Sequence, residues 1–94
     1  MYNKYMKIEF NPAKDETNRA KHEVPLSLAA ELEWETALIW QDARKDYGEQ
    51  RMCGLALWGA RLFYIAFTER GEARRVICLR KANRREVAFY VSEN

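Results

Sequence analysis

Ninety-four residues, 48% of them hydrophobic and 13% aromatic, suffice for a single domain with a modest core, and exclude a disordered chain. The net charge of +2 hides an asymmetry: residues 61–85 carry eight Lys/Arg against two acids, whereas residues 1–60 carry eight against ten. No apolar run approaches the ~20 residues of a bilayer span and the N-terminus lacks a signal peptide's apolar centre, so the expectation is a cytoplasmic protein without membrane contact whose basic half meets an acidic partner.

Residues 1–6 read as a flexible tail before one domain. Lys7-Ile8-Glu9-Phe10 alternates polar and apolar positions, as a short first strand does. Asn11-Pro12 supplies an N-cap and a first helical residue, opening a polar helix over residues 13–22. A second helix is expected over residues 27–34, with Ser27 as cap and Leu28, Ala29, Leu32 and Trp34 as its buried face. The period then falls to two. Strands are expected over residues 37–42, 51–58 and 62–68, with Asp46-Tyr47-Gly48-Glu49 as a turn and Gly59-Ala60 as a two-residue hairpin loop.

The stretch Arg74-Arg75-Val76-Ile77-Cys78-Leu79-Arg80-Lys81 reads as a further strand with cations at both ends. Strict alternation sets Arg74, Val76, Cys78 and Arg80 on one face, and Arg75, Ile77, Leu79 and Lys81 on the other. Asn83 caps a last helix over residues 83–92, with Glu86 placed for a capping box and Tyr90 sharing a face with Val87 and Val91. The order β-α-α-β-β-β-β-α gives an α+β fold. It implies an antiparallel meander with helices packed on one side and the other face free to meet a ligand.

Arg80 ends its strand just before a helix N-terminus, where both a guanidinium fork and backbone N–H groups favour an anion such as a phosphate. Cys53 and Cys78 fall inside strands, as reduced core thiols do, with a buried disulfide as the lesser alternative. One histidine and no CxxC or HExxH pattern leave no signal for a zinc site, and no cofactor is indicated.

Three segments together carry a family resemblance: Asn11-Pro12-Ala13-Lys14 with Asn18, Lys21-His22 and Val24; Gln50-Arg51 at the head of a strand; and Arg75 through Glu86 with Tyr90. They resemble the motifs of the BrnT toxins over roughly residues 7–90. The resemblance implies a RelE-like fold and a metal-independent ribonuclease that arrests growth by blocking translation. It also implies neutralisation by a BrnA-like antitoxin of ribbon-helix-helix type, through which alone operator DNA would be bound. The chain departs from the family pattern at Glu23, where glycine is usual, and at Asn11, Gln50 and Cys78, where Asp, Glu and Ser are usual.

For such a ribonuclease the 2′-hydroxyl would attack the adjacent phosphate. Arg80 and Arg51 are the candidate phosphate stabilisers, and His22 and Lys21 the candidate acid–base groups. Lys14, Arg74, Lys81, Arg84, Arg85 and Tyr90 are the candidate RNA contacts, with Tyr64 a second option for stacking a base. The alternative is a basic module that binds nucleic acid or an acidic protein without cleaving either.

Overall fold

The computed structural model describes residues 7–44, 46 and 48–94. The expected tail over residues 1–6 and Tyr47 of the expected turn lie outside the described residues. Strand β1 (Lys7–Glu9) leads into helix α1 (Pro12–His22), followed by 3-10 segments at Leu26–Glu31 and Trp34–Thr36. Strands β2 (Leu38–Asp42), β3 (Arg51–Trp58), β4 (Arg61–Arg70) and β5 (Ala73–Lys81) come next, and helix α2 (Arg84–Glu93) closes the chain.

Strands β2 to β5 pair antiparallel in sequence order, as hairpin-length connections require. β1 instead lies parallel beside β5, through the Lys7↔Ala73 to Glu9↔Arg75 register. The five-stranded sheet, ordered β1-β5-β4-β3-β2, is therefore mixed rather than wholly antiparallel. No hairpin ties β1 to the meander, so it is free to take the open edge of β5.

Alternation along β4 divides the interior. Phe63, Ile65 and Phe67 join Val24, Leu26, Ala29, Trp34, Val76 and Leu79 in the main core beneath α1 and the 3-10 segments. Leu62 on the opposite face joins Leu55 and Ala82 in a smaller cluster, with Tyr64 and Tyr90 packed against it. Helix α2 thus sits on the second face, and only α1 and the 3-10 segments obey the one-sided arrangement. The reason is apolar surface: Leu55, Leu62 and Ala82 on the second face need cover, and Tyr90 of α2 packs against them.

The second expected helix forms as 3-10 turns. Pro25, not Ser27, holds the N-cap position, without a side-chain bond. The carboxylate of Asp15 accepts instead from the Leu26 N–H at 2.8 Å. The indole N–H of Trp34 donates to the Ala29 carbonyl at 2.8 Å, and Glu33 N–H donates to Leu57 at 2.8 Å. These bonds tie the segment to its neighbours rather than along an α-helical axis.

Two local features set up the site. β4 and β5 slip register between Ala66 and Phe67, which pair with Cys78 and Val76, so Ile77 is an extra residue in the ladder. Such a bulge reverses the side-chain alternation. Arg74 and Val76 therefore turn into the main core, and Cys78 and Arg80 face the other way, contrary to the single four-residue face expected from strict alternation. Beyond the end of β1, Asn18 takes over as a surrogate strand. Its side-chain amide donates to the carbonyls of Val24 and Leu79, both at 2.8 Å, and accepts from Leu79 N–H at 3.2 Å.

Helix α1 ends at Glu23, in the left-handed region at φ 60°, ψ 27°, with its N–H on the Arg19 carbonyl. An L-residue with a Cβ is strained there by ~1 kcal/mol. Replacing Glu23 by Gly is expected to raise stability by about 1 kcal/mol and the melting temperature by about 4–8 °C, measured by thermal and urea unfolding.

Candidate active site

Arg80 leaves β5 on the second face and is held on three sides. Its two terminal nitrogens each donate to one carboxylate oxygen of Glu86, both at 2.9 Å. Its guanidinium carbon stands 4.2 Å from the centre of the Tyr64 ring. A third bond reaches the Lys81 carbonyl at 3.3 Å. Glu86 is at the same time the capping-box residue of α2, accepting from Asn83 N–H at 2.9 Å while Asn83 accepts from Glu86 N–H at 2.8 Å.

Burial pushes the Glu86 carboxyl up, but the Arg80 and Asn83 hydrogen bonds and the Arg80 charge outweigh it and hold the group below its ordinary value. The bond from Glu86 is the main reason the Arg80 guanidinium is raised, against the opposing effect of burial. A planar fork pinned on an aromatic face and a carboxylate is pre-organised.

Two clefts border this strand. One, of about 340 Å³, is lined by Lys14, Thr17, Asn18, Lys21 and His22 of α1 together with Ile77 and Cys78 at the bulge. Burial, then the charges of Lys21 and Arg80, hold the His22 pKa below its ordinary 6.5, so the imidazole is neutral at pH 7. Burial likewise keeps the Cys78 thiol above its usual value, although Arg80 and Lys21 pull the other way. It therefore stays protonated. Lys21, His22, Cys78 and Arg80 form one electrostatic neighbourhood.

The second cleft, of about 550 Å³, is lined by Trp40, Asp42, Arg44, Cys53, Tyr64, Arg80 and Glu86. The Tyr64 hydroxyl lies 3.2 Å from the Cys53 sulfur. Burial, reinforced by that contact, pushes the phenol well above its ordinary range, so it remains un-ionised. At the rim Arg44 makes a second fork, Nε and one terminal nitrogen each 2.9 Å from a different oxygen of the buried Asp42.

The remaining candidates are spread more widely. Arg51 opens β3 opposite Asp42 and Thr68, on the face of Arg80 but lining neither cleft. The register sets it four residues along and two strands across from Arg80, about 13 Å by 10 Å in backbone terms. Arg74 lies on the other face, its guanidinium 4.5 Å from the Trp34 ring centre and 5.1 Å from that of Phe67, where it packs over the core.

Lys81, Arg84 and Arg85 are exposed. Tyr90 is half-buried against the smaller cluster and donates to the Thr36 carbonyl at 3.3 Å, as a packing residue does. Cys53 and Cys78 both pair with Ala66, on opposite sides of β4, about 10 Å apart and too far for a disulfide; both thiols are free. Neither Trp40 nor the Asp42–Arg44 fork figures among the residues expected from the sequence, although an Asp-x-Arg spacing at a strand end is a usable signal. Among the described residues, no helix is long and apolar enough to cross a membrane.

The paired form of Glu86 contributes stability above its unfolded pKa of about 4.3 and loses it as pH falls through the lower folded value. Glu86→Gln is therefore expected to cost about 1–2 kcal/mol at pH 7, with the difference from the parent shrinking below about pH 4. Urea unfolding from pH 3 to 7 measures this.

A family model described as the ribonuclease toxin BrnT of type II toxin–antitoxin systems matches residues 10–86. The fold is also similar to the 1.1 Å crystal structure of the Brucella abortus ribonuclease toxin BrnT, at a TM-score of 0.65 and 26% identity, over 84% of this chain and 99% of that one. No curated protein matches. The match extends from the first residue before the α1 cap to Glu86 itself, so it includes every side chain that lines the two clefts, and the chain belongs to the BrnT family of ribonuclease toxins of type II toxin–antitoxin systems.

Proposed function

We propose that the chain cleaves RNA without a metal ion at the junction of α1, β5 and α2. The observation that carries this reading is that neutral His22 and cationic Lys21 line one small cleft whose β5 wall, at Cys78, lies two residues from the pinned Arg80 fork of the second cleft.

A neutral imidazole can take the proton of a ribose 2′-hydroxyl as that oxygen attacks the adjacent phosphorus. The P–O5′ bond then breaks, leaving a 2′,3′-cyclic phosphate on one fragment and a 5′-hydroxyl on the other. Lys21 and Arg80 meet the charge that gathers on the phosphorane oxygens. Arg80 does so without reorganisation, because Glu86 and Tyr64 already fix its plane. Lys21 is also the nearest candidate to protonate the leaving oxygen. Lys14 extends the cationic wall along α1, while the exposed Lys81 at the end of β5 and Arg84 and Arg85 at the start of α2 hold flanking phosphates. Arg51, distant from Arg80, has its role in this reading as a backbone contact further along the strand rather than at the reacting phosphate.

As a type II toxin the protein has a cognate antitoxin. We assign it to the ribbon-helix-helix class, with operator DNA reached only through it, and arrest of translation as the outcome of cleavage. The basic span of residues 61–85 suits an acidic antitoxin segment.

Incubation of the purified protein with total RNA in EDTA is expected to yield cyclic-phosphate ends, and Arg80→Ala to lower the rate by about 10²–10³-fold with a smaller loss of RNA affinity. Intact RNA with binding retained in the parent would overturn the catalytic reading in favour of a binding module.

The pH profile supplies a second check. With His22 as the base, kcat/KM falls as pH drops through a pKa below 6.5, and His22→Gln removes that acidic limb. An unchanged acidic limb in His22→Gln would transfer the role to another group.

A further inference from the structure

The two clefts differ in charge as well as in shape. Among the described residues the α1 cleft is lined by Lys14, Lys21 and His22 without a carboxylate. The sheet cleft contains two arginines, each already forked onto a carboxylate: Arg44 onto Asp42 and Arg80 onto Glu86. Among the described residues its formal charges cancel. A phosphodiester gains from the first environment and little from the second, whereas an uncharged planar ring with polar edges has the opposite preference.

The walls of the sheet cleft match such a ring. Trp40 is 39% exposed, a large aromatic left open on a sheet face. Its T-shaped contact with Phe89, at 6.0 Å and 79°, leaves ring surface uncovered. Across the cleft stand the Tyr64 ring and the guanidinium plane of Arg80 packed on it. Cys53, the cross-strand partner of Trp40, forms the floor between them with its thiol against the Tyr64 hydroxyl. Aromatic faces and Arg planes are the surfaces on which unstacked RNA bases settle, and carboxylates and guanidinium groups are what their edges bond to.

The clefts also border the same stretch of β5. Cys78 lines the first and Arg80, two residues on, lines the second. Resting on the ribonuclease reading above, we infer that the Trp40–Tyr64 cleft is a nucleobase subsite. It takes one base splayed out of a single strand, while the phosphate attached to that nucleotide lies over Lys21 and Arg80. Such a subsite favours single-stranded RNA, since a paired base would first have to be unpaired and unstacked to enter.

The test uses a 2′-O-methyl trinucleotide, which lacks the attacking hydroxyl, and versions of it made abasic at each position in turn. Affinities are measured calorimetrically for the parent and for Trp40→Ala, Trp40→Phe and Lys21→Ala. In the parent, removing one particular base is expected to weaken binding by about 5- to 150-fold. That ratio should collapse towards one in Trp40→Ala, survive for the most part in Trp40→Phe, and stay intact in Lys21→Ala while all affinities drop together. A parent indifferent to every missing base, or a ratio in Trp40→Ala equal to the parent's, would overturn the subsite.

Cleavage of RNA in EDTA, run in parallel, separates the two proposals. Arg80-dependent cleavage with a Trp40-independent ratio overturns the subsite alone. A Trp40-dependent ratio without cleavage supports the subsite and overturns the catalytic reading alone.

Discussion

The carboxylate of Glu86 is the point on which the site depends. One oxygen satisfies the Asn83 N–H at the start of α2, and both receive the Arg80 fork. A capping box alone orients a helix; a bidentate arginine alone orients a guanidinium. Joined in one side chain, they lock the direction of α2 to the plane of the arginine at the end of β5. The arrangement carries little net charge, so its value is geometric. Part of the cation's attraction for phosphate is given up in exchange for a fixed position, which is the form of electrostatic help that needs no reorganisation during reaction.

The bulge at Ile77 makes that lock reachable from two sides. Without the extra residue, Cys78 and Arg80 would share a face with Arg74 and Val76, inside the main core. With it, Val76 and Leu79 both stay in the core, and Arg80 emerges on the face opposite Arg74. The slack edge left by the short β1 is then closed by Asn18, whose amide satisfies both the N–H and the C=O of Leu79. That bond pair draws α1 against β5 and brings Lys21 and His22, one turn further along, to the same end of the strand. A buried asparagine at 5% exposure is costly to leave unpaired, so its placement is strongly determined.

Much of this was legible in the sequence, for identifiable reasons. Asn11-Pro12 and the Asn83 to Glu86 spacing are short-range signals whose chemistry is complete within four residues, and both caps formed as read. The meander was legible from period and turn residues. What strict alternation could not reveal was a single inserted residue, because Arg-Arg-Val-Ile-Cys-Leu-Arg contains no glycine to mark a bulge. Nor could it reveal the parallel pairing of β1, which depends on a partner more than sixty positions away. The resemblance to a known family supplied the function; the residues alone offered a basic face and an arginine at a helix start. Arg74 illustrates the difference. Its charge marked it as an RNA contact, while its environment of Trp34 and Phe67 uses it as a polar lid on the core.

Three of the four departures from the family pattern, at Glu23, Asn11 and Cys78, fall where the geometry tolerates them. Glu23 sits in a left-handed cap that glycine would fill without strain, yet the Arg19 bond still forms and Pro25 follows to stop the helix. Asn11 keeps its cap through a neutral oxygen, accepting from Ala13 N–H at 2.8 Å. Cys78 replaces a hydroxyl with a weaker donor between Lys21 and Arg80, and burial keeps it protonated. It therefore adds no negative charge to the wall that Lys14 and Lys21 line. A thiolate at that position would cancel one of the cations that the α1 cleft offers. Burial of the Cys78 thiol is thus what allows a sulfur atom to occupy this position without adding negative charge, and desolvation together with Lys21 and Arg80 holds the neighbouring His22 pKa down.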